Sequence, residues 1–229
     1  MIFISESTRF KTFWLADKFK GSPIGKNLDD ISSILDKPSS RESSEKRYSY
    51  LSKILDHAVM TTPFYREAAG RDRSLNNFPV VNKNVIRDNF ENFRSEIYKA
   101  RPFVKMTTSG STGTPFTIFQ NLGKKERNYA DTIYFADQAG YNLGHRLYYL
   151  KIWSSNNRKS KLKSWMQNIV PVDVLKLNDD ILHDLVSNIN NDQTPNGLLA
   201  YASALDVLVN YLERKNLKSL KNVESVIAI

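Results

Sequence analysis

From Val172 to Ile229 the chain alternates between short branched-apolar runs and segments of helical pattern. "VDVLKLN" reads as a strand and "DDILHDLVSNINN" as a helix. "GLLAY" is again strand-like, and "SALDVLVNYLERKN" carries Leu205, Leu208, Val209 and Leu212 on one helical face. "VESVIAI" then reads as a strand of the fully buried type. Parallel neighbours need long crossovers, usually helical, so this alternation predicts an α/β fold with a mixed, largely parallel sheet flanked by helices. Such sheets bind ligands beyond the carboxyl ends of their strands. No turn signal or loop follows the last strand, so the expectation is that this chain forms the front part of a larger fold.

The first hundred residues have a different character. Phe10, Phe13 and Trp14 share helical spacing before Gly21 and Pro23, and "LDDISSIL" is a second short helix. A third begins at Ser39 or Ser40, with Tyr48, Leu51, Leu55, Ala58 and Val59 as its apolar face. It ends before Pro63, which biases Thr62 away from helical torsions. Asn82 is a good N-cap for "KNVIRDNFENF". Segment 1–100 is therefore expected to be mostly helical and 101–229 to be α/β. Within the latter, "RPFVKMTT", "PFTIFQ" and "HRLYYLKIW" read as strands. "GKKERNYADTIYFADQAG" is a helix with Tyr129, Ile133 and Ala136 on one face.

Charge narrows the partners. Lys and Arg number 33 against 24 Asp and Glu, a formal net charge of +9, which suits an anionic partner such as a nucleotide. The chain has no cysteine, which excludes a thiol nucleophile and thiolate metal sites. No apolar run approaches the roughly 20 residues of a membrane-spanning helix, and a cytoplasmic location is expected. The basic run Arg158, Lys159, Lys161 and Lys163 reads as a solvated face, or at most as peripheral contact with an anionic membrane surface.

Between the first two strands lie Thr108, Ser109, Gly110, Ser111, Thr112, Gly113, Thr114 and Pro115. Glycines let successive backbone N–H groups converge on one anion, and the hydroxyls add rotatable donors. The run is either a loose connection or a phosphate loop. It is not a P-loop, because Thr114 and Pro115 follow Gly113 where that motif requires lysine. Gly110 to Gly113 also fits G-x-x-G of RNA-binding KH domains, but a KH loop joins helices and this one is flanked by strand-like segments.

"TSGSTGTP" resembles the phosphate loop of adenylate-forming enzymes, the acyl-CoA synthetase superfamily. Phe116 stands where that family often has lysine, which is similar to the phenylacetate–CoA ligase branch. "TPFYRE", "FPVVNKNVIRDNFENF", "AGYNLGHRLYYL" and "LAYASALDVLVNYLERKNL" resemble, in order and spacing, the CapK-type capsular polysaccharide biosynthesis proteins. The resemblance runs from about Tyr48 to the end. It implies ATP and magnesium as cofactors, activation of a carboxylate to an acyl-adenylate, and coenzyme A as one acceptor. It also implies that residues 108–114 hold the nucleotide phosphates, and that Tyr201 and Ser203 approach the acyl group. A plainer reading makes Ser203 a helix cap and Tyr201 a core contact.

The family's later motifs are missing from the sequence: no Tyr-Gly and no Thr-Glu pair occurs. No catalytic residue can therefore be assigned. The resemblance implies the N-terminal half of such an enzyme, to be complemented by a C-terminal half. The alternatives are an inactive nucleotide-binding or interaction subunit and, less favoured by the flanking strands, an RNA-binding module. His57, His145 and His183 have no metal-ligand spacing, and His57 and His183 are expected on exposed helix faces.

Overall fold

A computed structural model describes residues 4–70, 73–108, 115–154 and 159–229. Its helices are α1 (Glu6–Phe19), α2 (Pro23–Leu35), α3 (Arg41–Thr61), α4 (Pro63–Ala69), α5 (Lys83–Asp88), α6 (Leu122–Gln138), α7 (Lys161–Met166), α8 (Asp179–Asn191) and α9 (Ala202–Arg214). Its strands are β1 (Phe103–Thr107), β2 (Thr117–Asn121), β3 (Arg146–Lys151), β4 (Ile169–Asp173), β5 (Asn196–Ala200) and β6 (Val223–Ala228). The fold is mixed α/β, with a parallel sheet flanked by helices. The chain divides into two compact units. The sheet unit comprises residues 1–23 and 132–229, and the hairpin unit residues 24–131.

In the sheet unit four strands lie in the order β4-β3-β5-β6, every neighbouring pair parallel. Leu150 of β3 stands in register with Val172 on one side and Ala200 on the other. Tyr148, Leu150, Leu198 and Ala200 pack in one buried cluster with Leu182, Leu185, Val186 and Ile189 of α8 and with Ala204, Leu208 and Tyr211 of α9. Each large apolar side chain buried this way contributes roughly 1.5–3 kcal/mol. Asn178 starts α8 by accepting the Ile181 N–H at 2.9 Å.

Three details of this unit differ from the sequence expectation. The strand expected over "VDVLKLN" ends at Asp173, whose carboxylate accepts the Leu175 N–H and turns Val174–Lys176 into a 3-10 turn. On α9 the buried stripe runs through Ala204, Leu208 and Tyr211, which leaves Val209 exposed. On β6 only Ser225 is fully buried, and Val226 is 54% exposed, because β6 lies at the edge of the sheet.

The amino ends of these strands gather polar groups. Arg146 reaches Asp192 at 2.6 Å, and the Asp192 side chain is almost wholly buried. Burial, with Glu6 nearby, pushes the Tyr141 hydroxyl up to about 12. Arg9 of α1 donates to the carbonyls of Trp165 and Met166. Gly144 has φ of 105°, and a Cβ there would sit 2.7 Å from the Glu6 carbonyl oxygen, so only glycine fits where α1 crosses.

In the hairpin unit Ser40 caps α3 by accepting the Ser43 N–H at 3.1 Å. The buried Ser43 hydroxyl donates to the Ile34 carbonyl at 2.7 Å and ties α3 to α2. Asp30 of α2 receives Lys46 and Tyr50 from α3 and Arg127 from α6. Burial pushes the Asp30 carboxyl up, but hydrogen bonds from Lys46, Tyr50 and Arg127 together outweigh it and hold the group at about 2. The Phe64 and Phe93 rings stack with centroids 4.0 Å apart. The apolar stripe expected on α3 is only partly buried: Val59 is covered, whereas Tyr48 is 74% exposed. On α6 the buried residues are Ala130 and Tyr134, and Tyr129 is exposed. The stripe there is turned by one residue, about 100° of helix.

Candidate functional site

Strands β1 and β2 pair antiparallel from Phe103↔Asn121 to Thr107↔Thr117. Beyond the last pair, the Thr108 N–H donates to the Phe116 carbonyl at 2.9 Å. The Phe116 N–H returns a bond to the Thr108 hydroxyl oxygen at 3.2 Å. Thr107 and Thr117 hydroxyls meet at 3.1 Å on the same end. These bonds form a closed neck, from which the small-residue segment departs and to which it returns. Thr108 thus fixes the neck, and its O–H proton is left to donate elsewhere. The other nucleotide residues expected from sequence, Ser109, Gly110, Ser111, Thr112, Gly113 and Thr114, lie outside the described residues. The segment joins two strands of one hairpin, which is neither the strand-to-helix setting of a P-loop nor the helix-to-helix setting of a KH loop.

Sequence reasoning missed one cation here. The Lys83 ammonium lies 6.0 Å from the centroid of the Phe116 ring, at the neck. It follows the α5 cap, Asn82, whose side chain accepts the Asn84 and Val85 N–H groups and fixes where Lys83 starts its helix. In related loops the lysine follows the small-residue run, whereas Lys83 lies 25 residues before Thr108.

The same unit forms an open cavity of about 420 Å³, lined from the hairpin by Phe103, Ile118, Phe119, Gln120 and Asn121. Tyr65, Phe90, Phe93, Phe103 and Phe119 supply its aromatic walls. His57 also lines it and is half-buried, contrary to the exposed position expected, because its ring packs 5.8 Å from the Tyr98 ring. His183 is exposed, as expected. Ile118 lies one residue from the Thr107–Thr117 pair, so this cavity reaches close to the neck.

Tyr201 and Ser203 belong to the sheet unit, at the carboxyl end of β5. Helix α9 begins at Ala202, so the cap position falls on Tyr201 and not on Ser203. Ser203 is exposed in the first turn, while Tyr201 is half-buried against the core cluster. The backbone here is pinned: Tyr201 N–H donates to Leu150 O at 3.2 Å, and Ala202 N–H to Ile229 O at 3.2 Å. Burial first, and then the neighbouring Tyr201, raise the pKa of the Tyr149 hydroxyl. Lys151 ends β3 at this edge, and its ammonium lies 4.3 Å from the centroid of the Trp153 ring.

The described residues contain no group of three His, Asp or Glu side chains placed to hold a cation. Among them no helix is long and apolar enough to cross a membrane. No protein-family model matches the chain, and no curated protein matches it.

Proposed function

We propose that the chain binds the phosphates of ATP at the 108–116 loop and serves an adenylate-forming ligase of the phenylacetate–CoA ligase and CapK type. The observation that carries this reading is the pinned neck of the β1–β2 hairpin. Its two cross-strand bonds hold the ends of a segment that up to Pro115 is made only of Gly, Ser and Thr, whose small side chains suit close approach of backbone N–H groups to an anion. Lys83 supplies positive charge at the neck, where Phe116 replaces the lysine of related loops.

The chemistry is attack of a carboxylate oxygen on the α-phosphorus, with pyrophosphate leaving. It needs no protein nucleophile, only orientation and neutralisation of the developing charge. Ser109, Ser111, Thr112 and Thr114 would donate to the β- and γ-phosphates, and Tyr201 and Ser203 would border the acyl group. Magnesium would travel with the nucleotide. The described residues offer it no cage, so no step is assigned through it. The setting is a cytoplasmic step of cell-surface polysaccharide assembly, with coenzyme A as one acceptor and a C-terminal half supplying the residues this sequence lacks.

The test is ATP affinity. A Ser111→Ala/Thr112→Ala double variant should weaken ATP binding by about tenfold or more, since each lost charge-assisted hydrogen bond is worth roughly 1.5–3 kcal/mol. Unchanged affinity would sink the reading. A second reading, a nucleotide-binding subunit without catalysis, is favoured by the missing Tyr-Gly and Thr-Glu motifs. Pyrophosphate exchange separates the two: robust exchange by this chain alone excludes the second.

A further inference from the structure

We propose that the outer face of α1 is an interfacial surface that seats the protein on an anionic lipid bilayer. At about 100° per residue, Thr8, Lys11, Thr12, Leu15, Lys18 and Phe19 fall within about a third of the helix circumference. All six are exposed, Leu15 by 54% and Phe19 by 84%. The two acids of the helix, Glu6 and Asp17, lie on the far side. The Glu6 carboxylate stands 4.0 Å from a His145 ring nitrogen, and Asp17 is buried. The outer face therefore holds lysines, hydroxyls and two large apolar side chains, with no negative charge.

The rest of the sheet unit holds this face outward. Ser5 caps α1 by accepting the Thr8 N–H at 3.2 Å. The Glu6 carbonyl passes over Gly144, where any Cβ would collide with it. Arg9 donates to the Trp165 and Met166 carbonyls, and its guanidinium lies 5.6 Å from the Trp165 ring centroid. The helix is thus anchored along its inner side, and Leu15 and Phe19 cannot roll inward without breaking those contacts. Helix α7, which Arg9 ties to α1, has the same makeup. Its Lys161, Leu162, Lys163 and Met166 are exposed, and it contains no acidic residue.

Charge decides what covers this face. Among the described residues Lys11, Lys18 and Lys20 form no ion pair. Cations that flank exposed apolar side chains match an anionic bilayer. Lysine stems extend to the headgroup phosphates while leucine and phenylalanine enter the acyl boundary. A second copy of the chain would bring lysine against lysine across a two-fold contact. A nucleic acid would answer the lysines but leave Leu15 in water.

Co-sedimentation of the full chain with phosphatidylcholine vesicles, with and without phosphatidylglycerol, tests the surface. The expected result is binding only where phosphatidylglycerol is present, weakening as salt is raised. Lys11→Gln and Lys18→Gln should each weaken binding about fivefold. Leu15→Gln/Phe19→Gln should weaken it about tenfold or more. Lys218→Gln and Val80→Gln, exposed elsewhere, should bind as the wild type does. Glutamine is a good helix former, so the α1 variants keep the fold, which circular dichroism checks. The Ser111→Ala/Thr112→Ala variant should bind the vesicles fully, so this test stands apart from the nucleotide reading. No binding by the wild type, equal binding to both vesicles, or binding that survives Leu15→Gln/Phe19→Gln would each overturn the proposal. So would self-association of the wild type that the same double variant abolishes, because a second copy would then cover the face.

Discussion

Leu150 in the sheet unit and Asp30 in the hairpin unit occupy corresponding roles. Leu150 joins β3 to the cluster formed with α8 and α9, and is fully buried. Asp30 joins α2 to α3 and α6, and its side chain keeps 20% of its surface in water. The Leu150 contact is apolar packing, which neither salt nor pH reaches directly, whereas the Asp30 contact is a charged clasp, which both can loosen. Comparable strand lengths and ordinary helices do not make the two units respond alike.

The sharpest break in that comparison is Leu150→Ala. It should cost about 2–5 kcal/mol and leave a cavity under α8 and α9. Hydrogen exchange should show β3 and β5 losing protection while α2 and α3 keep theirs. Asp30→Ala is the reciprocal change and should cost about 1–2 kcal/mol, less than a fully buried pair because the clasp is partly solvated. Exchange should then quicken in α2 and α3, not in the sheet.

Acid makes the same distinction without mutation. The folded Asp30 carboxyl sits at about 2, below its ordinary value of 3.8. Its contribution is therefore complete above about pH 4 and is lost as pH falls through 2. Exchange in α2 and α3 should quicken over that window, and the Asp30→Asn variant should abolish the difference between pH 5 and pH 2. The smallest expected effect is Ser40→Ala, which removes the α3 cap and should cost about 1 kcal/mol. A thermal shift larger than that of Leu150→Ala would refute the ranking.

The sheet was legible because alternation of strand and helix leaves few topologies, and β3, β5, α8 and α9 appear where that pattern puts them. Positions of single faces were less so. Val226 and Val209 read as buried, but whether an apolar residue is covered depends on what lies across from it, and an edge strand has one neighbour fewer. The "VLKLN" segment looked extended because its residues favour strands, yet one hydrogen bond from the Leu175 N–H to the Asp173 carboxylate turned it. At the candidate sites the hairpin around the small-residue loop was foreseeable from the flanking runs. Lys83, Lys151 and Trp153 were not, because no local pattern announces which distant cation a fold will bring to a ring.

Helix α1 belongs to the sheet unit, although 108 residues of the hairpin unit, from Ile24 to Asp131, intervene before that unit resumes. Its Arg9 waits for the carbonyls of Trp165 and Met166, and Gly144 for the passage of Glu6. During synthesis at about 5–20 residues per second, that wait is on the order of ten seconds or more. The hairpin unit is contiguous and can close first. Phe10, Leu15 and Phe19 of α1 stay exposed even in the folded unit. Until then Arg9 and the Glu6 carbonyl of α1 lack the partners they meet in the folded unit, and that interval is when a chaperone would have most to hold.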